Sequence, residues 1–396
     1  MALSKIDVAN MLTGATPVAN GGTALTSGFA NGRTNNQMAP LIVNGDMAVA
    51  QRSDSTVAQA DSSNEGFATV DRFGLYFGNS AGGTITTSRA TTAPTGFGQS
   101  IKLNVTSADT SVAATHIVDL RTTLEAQVIR NSGWNYTSSS SYITLSFQIR
   151  SSKTGTYCVY LQSQDGTAYQ YTQEYTISSA DTWEQKVLTF PGNSNLTFNN
   201  DNGAGLIVSF MLAVGSSRYG TAGSWTTSSA YGTSNQVNFL DNTSNVAYIT
   251  GVQLEVGQFT SSTLPPFQHE SFGDNLARCQ RYYNMLASGA VLTTNGGYNE
   301  RLGVGYFQGS SLFFFIRDLP VPLRANPTIE TVSGTNYFNV SRDGGEDNCD
   351  DIIFYTSSPN IISMRVDGST ATGSQVDPGI ISINNTAARV AVTAEL

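Results

Sequence analysis

Apolar and polar residues alternate with a period of two along much of the chain from Leu41 to Pro266. SYITLSFQIR is the clearest case, with Ile143, Leu145, Phe147 and Ile149 on one side and Tyr142, Thr144, Ser146 and Gln148 on the other. Such alternation predicts half-buried strands. TGTYCVYLQSQDGTAYQYTQEYTI continues with strands about a turn at Asp165-Gly166, and WEQKVLTF and LIVSFMLAVG add two more. No helical stretch separates them, so the expectation for 41–270 is an all-β, two-sheet β-sandwich. ERLGVGYFQG, SLFFFIRDLPVPL, DIIFYTSS, IISMRVDG and ARVAVTAEL predict a second, smaller β domain over 288–396. Residues 1–40 are rich in Gly, Ala, Thr and Asn and cannot bury a core of their own, so an extended segment ordered by a partner is expected there.

Between the two β regions the pattern changes period. Val252, Leu254 and Val256 alternate with Gln253 and Glu255 until Gly257 breaks the run, and Pro265-Pro266 forbids further pairing. Ser271 and Asp274 then precede Leu276, Cys279, Tyr283 and Leu286, whose spacing puts all four on one stripe of a capped linking helix over 271–287. That stripe is the expected interface of a homotrimer.

Composition narrows the partners. Charged residues make up 12% of the 396, against about 25% in an average soluble protein. Hydrophobic content of 39% is enough to fold, so the surface must be covered by Ser, Thr, Asn, Gln and Gly. Net charge is 20 minus 29, or -9, with no Lys/Arg run, so nucleic acid is not an expected partner. No apolar run of about 18 residues and no N-terminal apolar leader is present, which argues against a membrane span and a signal peptide. The cysteines, Cys158, Cys279 and Cys349, are odd in number and far apart. They suit assembly in a reducing cytoplasm and fit neither a disulfide scaffold nor a metal knuckle.

Candidate chemistry is sparse. His116 and His269 stand in unrelated contexts without a catalytic signature, so no catalytic residue and no cofactor is assigned. SRDGGEDNCDD is the one acidic cluster; Asp343, Glu346, Asp347 and Asp350 could offer calcium its oxygen ligands, although the spacing is not that of an EF-hand and a solvated loop is the plainer reading. Tyr169, Tyr171 and Tyr175 share one parity of their strand, and Trp225 lies in a Ser/Gly-rich loop. Aromatic faces of this kind stack on sugars, but the same parity also serves a core or a neighbouring subunit.

Several phrases carry a resemblance. ITGVQLEVG with a following Pro-Phe, LARCQRYY, LIVNGDMAVAQRS with Asn44, Gly45, Asp46, Gln51 and Arg52, TVDRF and LPVPLRANPTI together resemble tail fibre and tail appendage proteins of tailed bacteriophages, marine ones especially. Phe73 stands where such proteins usually carry Trp. PVANGGTAL resembles a phrase common near the start of phage tail proteins, and the order of strands resembles the jelly rolls of carbohydrate-binding modules. The resemblance implies a virion structural protein, docked to tail or other virion proteins through residues 1–40. It would touch a host cell-surface glycan or receptor, and would be assembled in the host cytoplasm and released by lysis. A tail or capsid decoration protein that contacts only virion proteins is the alternative, and a glycan depolymerase a third.

Overall fold

The computed structural model describes residues 40–60, 64–79, 82–289, 300–367 and 373–396. Apart from Pro40, the expected attachment segment lies outside the described residues. The chain is all-β: among the described residues, 22 strands are joined by two α-helices, α1 (Ala126–Arg130) and α2 (Phe272–Gln280). No described helix is long and apolar enough to cross a membrane.

The first body is a sandwich of two six-stranded antiparallel sheets. One runs in the order β1 (Val57–Gln59), β3 (Thr84–Ala90), β4 (Ser100–Ser107), β12 (Val246–Val256), β6 (Tyr142–Ser151) and β9 (Glu184–Pro191). The other runs β11 (Trp225–Thr226), β8 (Gln170–Ile177), β7 (Gly155–Ser163), β10 (Ala204–Val214), β5 (Ile117–Glu125) and β2 (Gly74–Gly78). Ile143, Leu145, Phe147 and Ile149 of β6 enter the core, as the alternation predicts, and Phe147 meets Phe210 and Tyr175 from the facing sheet.

The second body packs a three-stranded sheet, β13 (Tyr283–Ser288), β22 (Arg389–Thr393) and β16 (Thr328–Val332), on a seven-stranded one. The larger sheet has the order β18 (Gly345–Cys349), β17 (Phe338–Arg342), β21 (Pro378–Ile383), β14 (Arg301–Phe307), β15 (Leu312–Asp318), β20 (Ile361–Asp367) and β19 (Ile352–Ser357). Leu286, Val390 and Val392 from one sheet and Phe313, Phe338 and Ile381 from the other share its core. Gly379 makes room there, since a Cβ would stand 2.9 Å from the Phe313 ring.

The expected helix is real at its start and too long at its end. Ser271 caps it, its hydroxyl accepting from the Asp274 amide, but α2 ends at Gln280, and Tyr283 and Leu286 belong to β13. Cys279, Tyr283 and Leu286 are buried within their own chain and Leu276 is half-buried, so the four do not form the free stripe expected of a trimer interface. The reason is that the chain turns extended at Tyr282-Tyr283, where two arginines from the sandwich sit over the rings. The Arg52 guanidinium is 3.6 Å from the Tyr283 ring centre and that of Arg72 is 3.6 Å from that of Tyr282.

This junction gathers most of the residues that carry the tail-protein resemblance. Asn44, in the left-handed conformation at φ 60°, donates to the carbonyls of Val49 and Asp71 at 2.9 and 2.8 Å and accepts from Asn275 of α2 at 3.3 Å. Gly45 lies so close to β12 that a Cβ would be 2.1 Å from the Val252 carbonyl oxygen. The Gln51 amide bridges the bodies, donating to the Asp71 carboxylate at 2.6 Å and to the Tyr283 carbonyl at 2.7 Å. Glu395 accepts from both Arg52 and Arg72, and Glu125 accepts from Arg281 at 2.7 and 2.8 Å and from the Tyr282 hydroxyl at 2.7 Å. Burial pushes the Asp71 carboxyl up to about 6, against the opposing pull of Gln51 and Arg52.

Candidate functional site

The tyrosines expected to stack on sugar do not face outward. Tyr171 and Tyr175 are buried between the sandwich sheets, Tyr171 against Phe190 and Tyr175 against Phe147, while Tyr169 is half-buried beside the same core. Their shared parity is the inward one, because β8 pairs with β7 inside a closed two-layer body and both inner faces must be apolar. Trp225 is also tucked in: its ring packs on Tyr171 at 5.4 Å and its indole N–H donates to the Pro191 carbonyl at 2.8 Å.

The outward parity of that sheet mixes polar groups with a small buried apolar cluster that includes Tyr160, Ile207 and Met211, and it is closed. Arg121 makes two bonds to Asp119 at 2.8 and 2.9 Å and lies 3.9 Å from the Tyr76 ring centre, and the Ser209 hydroxyl donates to Asp119 at 2.5 Å. Gln164 donates to Gln162 and Gln162 to Gln170, each at 3.0 Å, and Gln170 donates to the Ser228 carbonyl. Over one half of the face runs the segment 215–237, with Tyr231 on Tyr160 at 5.2 Å and the Ala230 carbonyl accepting from Thr172 at 2.7 Å. These groups have their partners within the protein.

The acidic cluster does not converge either. Residues 338–349 form a tight hairpin, β17 to β18, with Asp343-Gly344 at the turn. Successive residues of β18 point to opposite faces, so Glu346 accepts from the Ser341 hydroxyl while Asp347 pairs with Arg342 at 3.2 Å. Asp350 lies beyond the strand, accepting from the Asn336 amide at 2.8 Å. Among the described residues no group of three or more His, Cys, Asp or Glu is placed to hold a metal ion.

The open surface lies on the outer face of the seven-stranded sheet. Phe313 and Phe315 point inward from β15, so Phe314 and Ile316 must point outward, and next to them on β14 stand Val304 and Tyr306. On β19, Ile352 and Phe354 face the core, so Tyr355 points outward and joins them, with a bulge between Phe354 and Thr356. Relative exposure is 71% for Val304, 48% for Tyr306, 63% for Ile316 and 57% for Tyr355, the opposite of the sandwich tyrosines. Tyr306 stacks near Phe314 at 6.5 Å, and Tyr355 meets the Phe314 edge at 4.9 Å. A cavity of about 300 Å³ opens between them, bordered also by the Gln308 amide and the Ser363 hydroxyl. On the other side of β14, a shallower hollow of about 690 Å³ runs over Ile380 and Pro378 to Ser341, Arg342 and Asp343.

Ring faces beside amide and hydroxyl groups are what a sugar needs, C–H surface on one side and bonds to hydroxyls on the other. Sequence reasoning passed over this cavity, yet one signal was available. In FFF within an alternating strand the middle ring must face away from its neighbours.

No family model and no curated protein matches the chain. Among solved structures it is similar to the enzymatically active domain of bacteriophage CBA120 tailspike protein 4, at 13% identity and TM-score 0.28 over 55% of this chain and 21% of that one. It is similar also to the family 11 carbohydrate-binding module of the cellulosomal cellulase Lic26A-Cel5E of Clostridium thermocellum, at 12% identity and TM-score 0.27 over 52% of this chain and 99% of that one. A third likeness is to a structure described as "CBM4 structure and function", at 11% identity and TM-score 0.28 over 54% of this chain and 97% of that one.

Proposed function

We propose that the protein is a glycan-binding component of a phage tail, a fibre or tail appendage that holds the host surface and does not cut it. The glycan reading rests on one observation, the open cavity of Tyr306, Phe314 and Tyr355 with Gln308 and Ser363 at its border. Its lining offers ring faces, an amide and a hydroxyl, whereas glycoside hydrolysis needs a pair of facing carboxyl groups. The tail reading is supported by the resemblance phrases, whose residues converge on one junction instead of scattering over the surface. Attachment through residues 1–40 and assembly as a homotrimer complete the proposal.

A shallow site of this size would bind a sugar with a dissociation constant near ~1 mM, about -4 kcal/mol, too weak to hold a particle alone. Repetition of the site in a trimer, and of trimers around a tail, raises avidity by roughly 10² to 10⁴ without further contacts. The test is adsorption of a fluorescent fusion to host cells together with a glycan array. Tyr306→Ala and Tyr355→Ala are expected to reduce both signals while leaving the melting temperature unchanged. Full binding by the double variant would move the site elsewhere, and a wild type that binds no cell and no glycan would favour a decoration protein.

A further inference from the structure

The two hollows beside β14 share Val304, Gly305 and Tyr306, so they adjoin as the halves of one trough, divided by the Val304 and Tyr306 side chains. The trough crosses the strands from β17, through β21, β14 and β15, to β20 and β19. Six strands about 4.8 Å apart make it roughly 24 Å long, and some four residues of strand make it about 13 Å wide. That is a face of roughly 300 Å², well short of the ~800 Å² per partner that a stable protein interface buries. A long narrow ligand suits it better than a second folded surface.

Its charge points the same way. Of the residues along the two hollows only Arg342 and Asp343 are charged, one of each sign, and Arg342 already pairs with Asp347. The whole chain carries -9, which disfavours a polyanion approaching over distance. The remaining lining consists of aromatic and aliphatic side chains with hydroxyl and amide groups at intervals.

We propose that this face is an extended subsite array for a neutral linear oligosaccharide, one sugar ring in the Tyr306–Tyr355 cavity and further rings over Val304, Ile380 and Pro378. The inference rests on the glycan reading above and adds the ligand's length and charge. Because contacts accumulate along the trough, affinity must rise with chain length and level off once the trough is filled.

The experiment uses the full chain on immobilised glucose, mannose and galactose oligomers of one to six residues, with an acidic series alongside. The expected result is binding to at least one neutral series, rising about tenfold or more from one residue to five, equivalent to the ~1.4 kcal/mol per decade of affinity. Ile380→Ser should weaken the longest oligomers and leave the shortest unchanged, and Val304→Asp should flatten the length dependence. Both positions are on the outer face, so folding is checked by unchanged melting. Equal binding of one and six residues, binding confined to the acidic series, or normal length dependence in Val304→Asp would each overturn the extended neutral site while leaving a glycan-binding protein. If no series binds, neutral or acidic, the glycan reading itself falls.

Discussion

The sandwich and the seven-stranded sheet treat their aromatic residues in opposite ways. In the sandwich, β8 sends Tyr171 and Tyr175 inward, and the outward parity of the same sheet is spent on an Arg121–Asp119 pair, a row of glutamines and the cover of segment 215–237. In the C-terminal sheet, β14, β15 and β19 leave Val304, Tyr306, Ile316 and Tyr355 in solvent. A large apolar residue in water gains nothing for folding, so its retention on a contiguous face marks a surface shaped for something outside the chain. Aromatic content alone therefore does not locate a site; the second layer that covers it, or fails to, decides.

This contrast can be broken most directly in the cores. Phe147→Ala is expected to cost about 3–5 kcal/mol and Tyr171→Ala a similar amount, read as a loss of stability in urea unfolding, because each empties a well-packed space. A small effect of Tyr171→Ala would mean that β8 is not held as described and would reopen the sandwich as a glycan face.

Next in size is a pH effect at the junction. The folded-state value of about 6 for Asp71 lies above the ordinary 3.8, so the folded protein binds the proton more tightly than the unfolded chain. Its contribution is complete below about pH 4 and is lost as pH rises through 6, up to about 3 kcal/mol. Wild type should therefore lose more stability than Asp71→Asn between pH 4 and pH 7. Parallel pH profiles for the two proteins would contradict the buried placement of this carboxyl.

Trp225→Phe removes the bond to the Pro191 carbonyl and should cost about 1 kcal/mol, without changing host adsorption. The smallest effect belongs to the open face: Ile316→Ser should stay within about 0.5 kcal/mol of wild type in stability. A destabilisation as large as that of Phe147→Ala would show that Ile316 is covered in solution.

Much of the fold was legible because alternation is a local signal. Ile143 to Ile149 of β6 and the runs that became β9, β10, β14, β15 and β20 could be read residue by residue. The α2 cap was legible too, since Ser271 and Asp274 sit three residues apart. Where the helix stopped was not, because Cys279, Tyr283 and Leu286 satisfy a helical spacing while the arginines that sit over Tyr282 and Tyr283 come from more than 200 positions earlier in the sequence. The site was harder still. Parity groups the tyrosines of β8 but does not say which face is covered, and the outward parity of Tyr355, set by Ile352 and Phe354, likewise does not say that its face stays open.

The junction also has a consequence for the order in which the molecule folds. Gln51 and Tyr283 are 232 positions apart, and Arg52 and Glu395 are 343 apart. The sandwich can close on contacts within residues 42–254, but its two buried guanidiniums wait for a carboxylate that is synthesised hundreds of residues later. Loop closure over such distances is entropically late. A nascent chain that stops short of Glu395 therefore holds Arg52 and Arg72 without the carboxylate they share, Arg52 keeping Glu330 at 3.9 Å.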